Sequence, residues 1–254
     1  MKKLVIATAN QGKYKEFEYL IKTYGKNFFP DEIIFAPEIS NLIVEETGKT
    51  YAENAMLKAS AWAEKSGLPC LADDSGLEVE ALDGAPGLYS ARIIQGTENK
   101  ISWLLNELKE KNNRRARFVA SLALCVPDRN FSAQATDFRH GDKPLICYNK
   151  MVGASTIGGE LIRPDKSGRF GDTRIPRLQS WGVCQEYILI CEGHCNGRIA
   201  DAPRGSNGFG YDPLFIPDGY EKTFAELSKE IKNSISHRTD AFKKITATMS
   251  GGLS

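Results

Sequence analysis

The stretch LADDSGLEVEALDGAPGLYSAR, Leu71 to Arg92, decides how this chain is read. An apolar strand, Cys70 to Ala72, runs into two consecutive carboxylates, Asp73 and Asp74, and then into Ser75-Gly76, a turn pair. A second alternating run (Leu77, Val79, Ala81) leads to a Gly/Pro-rich bend that closes on Arg92. Carboxylates at a strand end beside a Gly turn form a small site of hard oxygens, suited to Mg²⁺ rather than to a soft metal. Neighbours on an extended strand point to opposite faces, so only one of the two aspartates can enter a given site directly. For the tetrapeptide alone a solvated Asp-Asp-Ser-Gly turn is the simpler reading. The rest of the chain overturns it.

Upstream, Lys3–Thr8 is a short apolar strand. Phe17, Leu20, Ile21 and Tyr24 then recur at helical spacing, so the opening unit is strand, loop, helix. Ile33–Phe35 is a second short strand. Thr50-Tyr-Ala-Glu53 is a capping box for a helix carrying Ala55, Ala59, Trp62 and Ala63, which Gly67-Leu-Pro69 stops. Thr97 caps a helix with Leu104 and Leu108 in its stripe. Arg117–Val126 and Tyr187–Cys195 are strands, and Glu226–Met249 is helical. Alternating strands and helices in the first half predict an α/β fold.

With 254 residues, 41% of them hydrophobic and 26% charged, the composition is that of an ordinary globular protein. A net charge of +1 argues against a dedicated nucleic-acid binder. No apolar run approaches a bilayer span, so no membrane partner is expected. Met1–Ala7 is too soon interrupted by Asn10 and Lys13 for a signal peptide, which places the protein in the cytoplasm. The six cysteines form no paired framework and read as free thiols. Cys191, His194 and Cys195, with Cys184 upstream, invite a zinc site, but strand alternation splits them between two faces.

Four further constellations carry possible chemistry. Thr8-Ala-Asn10-Gln-Gly12-Lys13 lies between the first strand and helix, where helix N–H groups and a lysine can cradle phosphate. It is not a Walker A loop, because Ala7 and Tyr14 occupy required Gly and Ser/Thr positions; an Asn-Gly turn is the plainer alternative. Glu45-Glu46 precede the capped helix, either as dipole-compatible surface charge or as a second carboxylate source for a cation. Ser206–Pro213 mixes Gly208 and Gly210 with Phe209 and Tyr211, and so offers close backbone approach and ring stacking to a flat ligand, with Asp212 available for a base edge. Ser236 can cap the last helix. His237 and Arg238 would then sit in its first turn, against the dipole, an arrangement that calls for an anion nearby.

The segments TANQGKYKEF, EETGKTYAENAMLKA, LADDSGLEVEALDGAPGLYSAR, ARFVASLAL, NGFGYDPLFIPDGYEKTFAELSKEIKN and SHRTDAF occur in the order and spacing of one family. The chain resembles the inosine triphosphate pyrophosphatases, which hydrolyse non-standard purine nucleoside triphosphates (ITP, dITP, XTP) to the monophosphate and pyrophosphate. The resemblance implies an elongated mixed β-sheet with flanking helices, two lobes around a nucleotide cleft, Mg²⁺ as cofactor and a homodimer. It places Thr8, Asn10 and Lys13 on the triphosphate and Glu45 on the metal, with Glu46 a substitute. Asp74, rather than Asp73, becomes the residue that holds Mg²⁺ and activates water, and Ser75 touches substrate. Phe209, Gly210, Tyr211 and Asp212 form the base-binding loop. Lys232, His237 and Arg238 surround base and phosphates. Lys58 and Arg92 lie in matching motifs without an assigned role.

Residues 1–254 read as one domain with an inserted segment at about 128–185, which makes this chain about fifty residues longer than typical members, a length at which loops are usually functional or poorly ordered. That segment holds seven Gly and three Pro and has no sustained periodicity. Both flanks read as strands of the family sheet, so a protrusion from an intact core is expected. Rival readings are a pyrophosphatase of different base preference, a catalytically inactive nucleotide-binding regulator, and a P-loop kinase or phosphatase.

Overall fold

The computed structural model describes residues 1–90, 97–127, 146–149, 156–157, 160–161 and 186–250. Strand β1 (Lys3–Ile6) leads into helix α1 (Gln11–Tyr24), and the chain returns as β2 (Glu32–Phe35), parallel to β1. Helix α2 (Tyr51–Ser66) crosses back to β3 (Cys70–Val79) on the other side of β1. Helix α3 (Thr97–Glu107) precedes β4 (Arg115–Pro127). Three short strands, β5 (Ile146–Asn149), β6 (Thr156–Ile157) and β7 (Glu160–Leu161), come before β8 (Glu186–Ile199) and β9 (Phe215–Pro217). Helices α4 (Lys229–Ile235) and α5 (His237–Met249) follow.

The main sheet runs β2-β1-β3-β4-β8-β5, with β9 also on β8, and mixes parallel and antiparallel pairs. Strands β4 and β8 pair antiparallel from Arg115↔Arg198 to Pro127↔Glu186. The end of β4 therefore lies directly opposite the start of β8, and between them the chain adds β5 to the sheet, parallel to β8. Most of the inserted segment lies outside the described residues.

Three apolar clusters divide the long strands. Alternation puts Cys70, Ala72, Ala123, Cys125, Ile188 and Ile190 on one face, against Ala55, Met56, Ala59 and Trp62 of α2. The opposite face carries Leu71, Leu122 and Leu124 against Phe17 and Leu20 of α1 and Phe242 and Ile245 of α5. Farther along the strands, Leu77, Val79 and Phe118 pack with Leu104 of α3, with Leu108 just beyond its end and with Phe215 and Phe224. Between the first two clusters and the third lie the polar residues Asp73, Asp74 and Ser75 of β3 and Ser121 of β4.

Two expectations are corrected. Asp73 to Gly76 are not a turn: β3 continues unbroken to Val79. Gly76 serves close approach instead, since a Cβ there would fall 2.2 Å from the Gly87 carbonyl oxygen and 2.6 Å from the Tyr51 hydroxyl. The helical region 226–249 is likewise two helices, broken at Ser236, whose hydroxyl accepts from the Thr239 N–H as N-cap of α5. The capping box forms as read, with Thr50 and Glu53 bonding each other's backbone, and Gly67 closes α2 in the left-handed region at φ 66°. In β8, Cys191 and Cys195 share one face and His194 takes the other; Cys191 and Cys195 are buried, and Cys184 lies outside the described residues.

Candidate functional site

Strand β1 ends at Ile6, so β3 has a partner on that side only at Cys70 and Leu71. From Ala72 to Gly76 its other edge is open among the described residues, and both carboxylates of the acidic pair stand at that opening. As strand geometry requires, they face opposite ways.

Asp73 and Ser75 look toward α1 and α5. Asp73 accepts from Arg238 Nε at 3.0 Å and pairs with Lys13 Nζ at 3.0 Å, and Arg238 also donates to Ser75 Oγ at 2.8 Å. Arg238 reaches this position because Ser75, Ala120 and Gly193 form one cross-strand row of small residues. At Gly193 a Cβ would lie 2.2 Å from the Ala241 nitrogen, so only glycine lets the start of α5 down onto the sheet. The anion that the first turn of α5 calls for is therefore supplied by the protein: Asp73 and, at 2.8 Å from Arg238 Nη1, Glu16.

Glu16 is the residue that sequence reasoning missed. Its signal was a carboxylate on the buried stripe of α1, between Lys13 and Phe17. It also binds Lys232 Nζ at 2.8 Å, and Lys232 binds Asp212 Oδ2 at 2.6 Å. Burial pushes Glu16 and Asp73 up, but the facing cations outweigh it and hold both below the ordinary carboxylate range. Lys13 is pulled down by burial, with Arg238 and Lys58 adding to the effect and Asp73 opposing it.

The Phe209 ring lies over this network, 4.8 Å from Lys232 Nζ and 5.6 Å from the Arg238 guanidinium carbon. It also covers Gly12, where a Cβ would come within 2.6 Å of the ring, so the aromatic loop and the α1 loop touch. Gly208 and Gly210 have φ of 77° and 64°, as the tight loop demands. Asp212 is buried, and its Oδ2 accepts from the Phe209 N–H at 2.8 Å as well as from Lys232. It shapes the loop through that oxygen rather than presenting it outward. Tyr211 is buried too. Asn10 caps α1, accepting from the Gly12 and Lys13 N–H groups at 2.8 and 3.1 Å, and Thr8 Oγ1 accepts from Asn10 N–H. These two helix N–H groups, expected for phosphate, are held by Asn10.

His237 is buried and stacked on Phe118 at 4.8 Å and 13°. Burial, reinforced by Arg238, Lys232 and Lys13 and opposed by Asp73, keeps its pKa well below the usual histidine range. The folded protein thus refuses a proton that the unfolded chain takes up below about pH 6.5. Stability from this group is full above that pH and is expected to fall by up to about 1.4 kcal/mol per pH unit below it. Urea unfolding at about pH 7 and 5.5 should show a pH dependence that flattens in His237→Gln.

Asp74 faces α2. Its Oδ1 accepts from Lys58 Nζ at 3.2 Å and its Oδ2 from Asn54 Nδ2 at 3.1 Å. Lys58 also pairs with Glu46 Oε1 at 2.7 Å. Glu46 therefore takes the place beside Asp74, whereas Glu45, the expected metal ligand, is exposed. Two carboxylates converging on one ammonium make a hard, anionic donor pair. Mg²⁺ is commonly held by one or two carboxylates, with water and substrate phosphate completing its shell, so these residues fit it. Arg92 lies outside the described residues.

The sequence model of the Ham1 family matches residues 4–141 and 178–248. The chain belongs to this family. The dITP/XTP pyrophosphatase of Aquifex aeolicus is 36% identical over 255 residues, spanning 96% of this chain and 94% of that protein. The solved Ham1 protein of Staphylococcus aureus superposes with a TM-score of 0.65 at 34% identity, covering 98% of this chain and 99% of its own. A HAM1 protein from Coxiella burnetii gives 0.67 at 29% identity, covering 99% and 100%. The Ham1 match leaves out residues 142–177, inside the inserted segment.

Proposed function

We propose that this Ham1 family member hydrolyses non-standard purine nucleoside triphosphates (ITP, dITP, XTP) to the monophosphate and pyrophosphate, removing deaminated purines from the nucleotide pool. One observation carries the reading. At the open edge of β3, the acidic pair meets cations from α1, α2 and α5 within reach of an aromatic loop. In this reading Lys13 exchanges Asp73 for the polyphosphate and stabilises charge developing on the leaving pyrophosphate. Phe209 and the neighbouring backbone of the 209–212 loop take the base, and Arg238 and Lys232, fixed by Glu16, hold the positive wall behind it. Asp74 orients the attacking water and accepts its proton. Asp74 and Glu46 would hold Mg²⁺, which would supply positive charge against the phosphate oxygens. The family resemblance extends the reading to a cytoplasmic homodimer.

A panel of ITP, dITP, XTP, ATP and GTP tests this. Pyrophosphate release is expected to favour ITP, dITP and XTP over ATP in kcat/KM by at least about a hundredfold, the scale of discrimination by hydrogen-bonded groups. Activity should vanish in EDTA and return with Mg²⁺. Equal use of all five, or tight ITP binding without turnover, would contradict the proposal.

A further inference from the structure

We propose that Asn54 is a positioning residue that locks the Asp74 carboxylate and the Glu45–Gly48 loop into one rigid unit on α2. Asn54 is 2% exposed and makes two bonds that only one orientation of its amide satisfies. Its oxygen accepts from the Gly48 N–H at 2.8 Å, and its nitrogen donates to Asp74 Oδ2 at 3.1 Å. Lys58, one turn later, takes the other Asp74 oxygen, so the two ends of that carboxylate are held by residues four apart on one helix face.

The loop is clamped to the same turn. Glu53 Oε2 accepts from the Lys49 and Thr50 N–H groups, at 2.5 and 3.2 Å. Gly48 has no room for a side chain: a Cβ would fall 2.6 Å from Asn54 Oδ1 and 2.6 Å from Glu53 Cβ. The loop that supplies Glu46 and the strand that supplies Asp74 therefore share a single ruler, the first turns of α2. Asn54 ties the loop backbone at Gly48 to the Asp74 carboxylate, and Lys58 ties the Glu46 side chain to it. This inference rests on the role given above to Asp74.

The test compares Asn54→Ala and Asn54→Asp with Asp74→Asn. The aspartate keeps an acceptor for Gly48 N–H but loses the donor to Asp74, so it separates clamping the loop from orienting the carboxylate. Both Asn54 variants are expected to lose about 10- to 100-fold in kcat, the usual effect of removing a group that orients a ligand side chain. KM for ITP should stay within about twofold, because neither Asn54 bond is made to substrate. In substrate-free enzyme, Mn²⁺ affinity, read from the spin-resonance signal of the free ion, should weaken about tenfold in Asn54→Ala. Wild-type kcat in Asn54→Asp would reduce Asn54 to a loop clamp and overturn the proposal, as would unchanged Mn²⁺ affinity in Asn54→Ala. If Asp74→Asn itself remains active, the assignment of Asp74 fails first. If only the Asn54 variants stay active, this inference alone fails.

Discussion

Replacing Asp74 by Asn is expected to lower pyrophosphate release from ITP at least about a hundredfold, the scale on which loss of a catalytic acid–base group registers. The substitution keeps the size of the side chain and leaves one oxygen to accept from Lys58 or Asn54. It removes the negative charge opposite Lys58, and with it a proton acceptor that two hydrogen bonds hold in place. Because the change is nearly isosteric, unfolding by urea should be little altered, and the defect should lie in kcat. The matching change Asp73→Asn gives the contrast. Asp73 faces the other way, bound to Lys13 and Arg238, so its loss should appear as instability and weakened triphosphate binding. Near wild-type turnover in Asp74→Asn would remove the assigned role.

The second large effect is on stability. Arg238→Met deletes a fully enclosed guanidinium and leaves Asp73 and Glu16 each short of a partner. Removing one member of a buried ion pair typically costs about 3–5 kcal/mol, because the remaining charge is stranded away from water. Urea denaturation should show a loss of that order. The same network gives the pH dependence a definite sign. Asp73 and Glu16 have depressed folded-state pKa values, so their contribution is full above the ordinary carboxylate range and disappears as pH falls through and below it. Arg238→Met should blunt this acid sensitivity. A loss below about 1 kcal/mol would mean that the network relaxes or admits water, contrary to the enclosed geometry.

The parts of this fold that repeat a period were legible before any coordinates. The α1 and α2 stripes, the capping box at Thr50 and the strands on either side of the inserted segment follow from spacing and turn chemistry alone. The opposed directions of Asp73 and Asp74 followed from strand geometry. The misreading at Ser75-Gly76 has a physical cause. Glycine after a polar run signals a turn by default, and nothing local reveals that a second backbone segment, at Gly87, presses on that position. The charge network was hidden for a related reason. Glu16 and Arg238 are 222 positions apart, and only the row of small residues Ser75, Ala120 and Gly193 lets them meet. The choice between Glu45 and Glu46 depends on how an irregular loop is pinned to Asn54 and Glu53, which no periodicity encodes.

One crevice at the open edge of β3 is expected to select a 6-keto purine and to cut its triphosphate between the α and β phosphorus atoms. Phosphorus NMR of ITP and ATP mixed in equal amounts with the enzyme and Mg²⁺ tests it most directly. Inosine monophosphate and pyrophosphate should appear together while ATP persists. Release of orthophosphate with a nucleoside diphosphate, or consumption of ATP ahead of ITP, would contradict it.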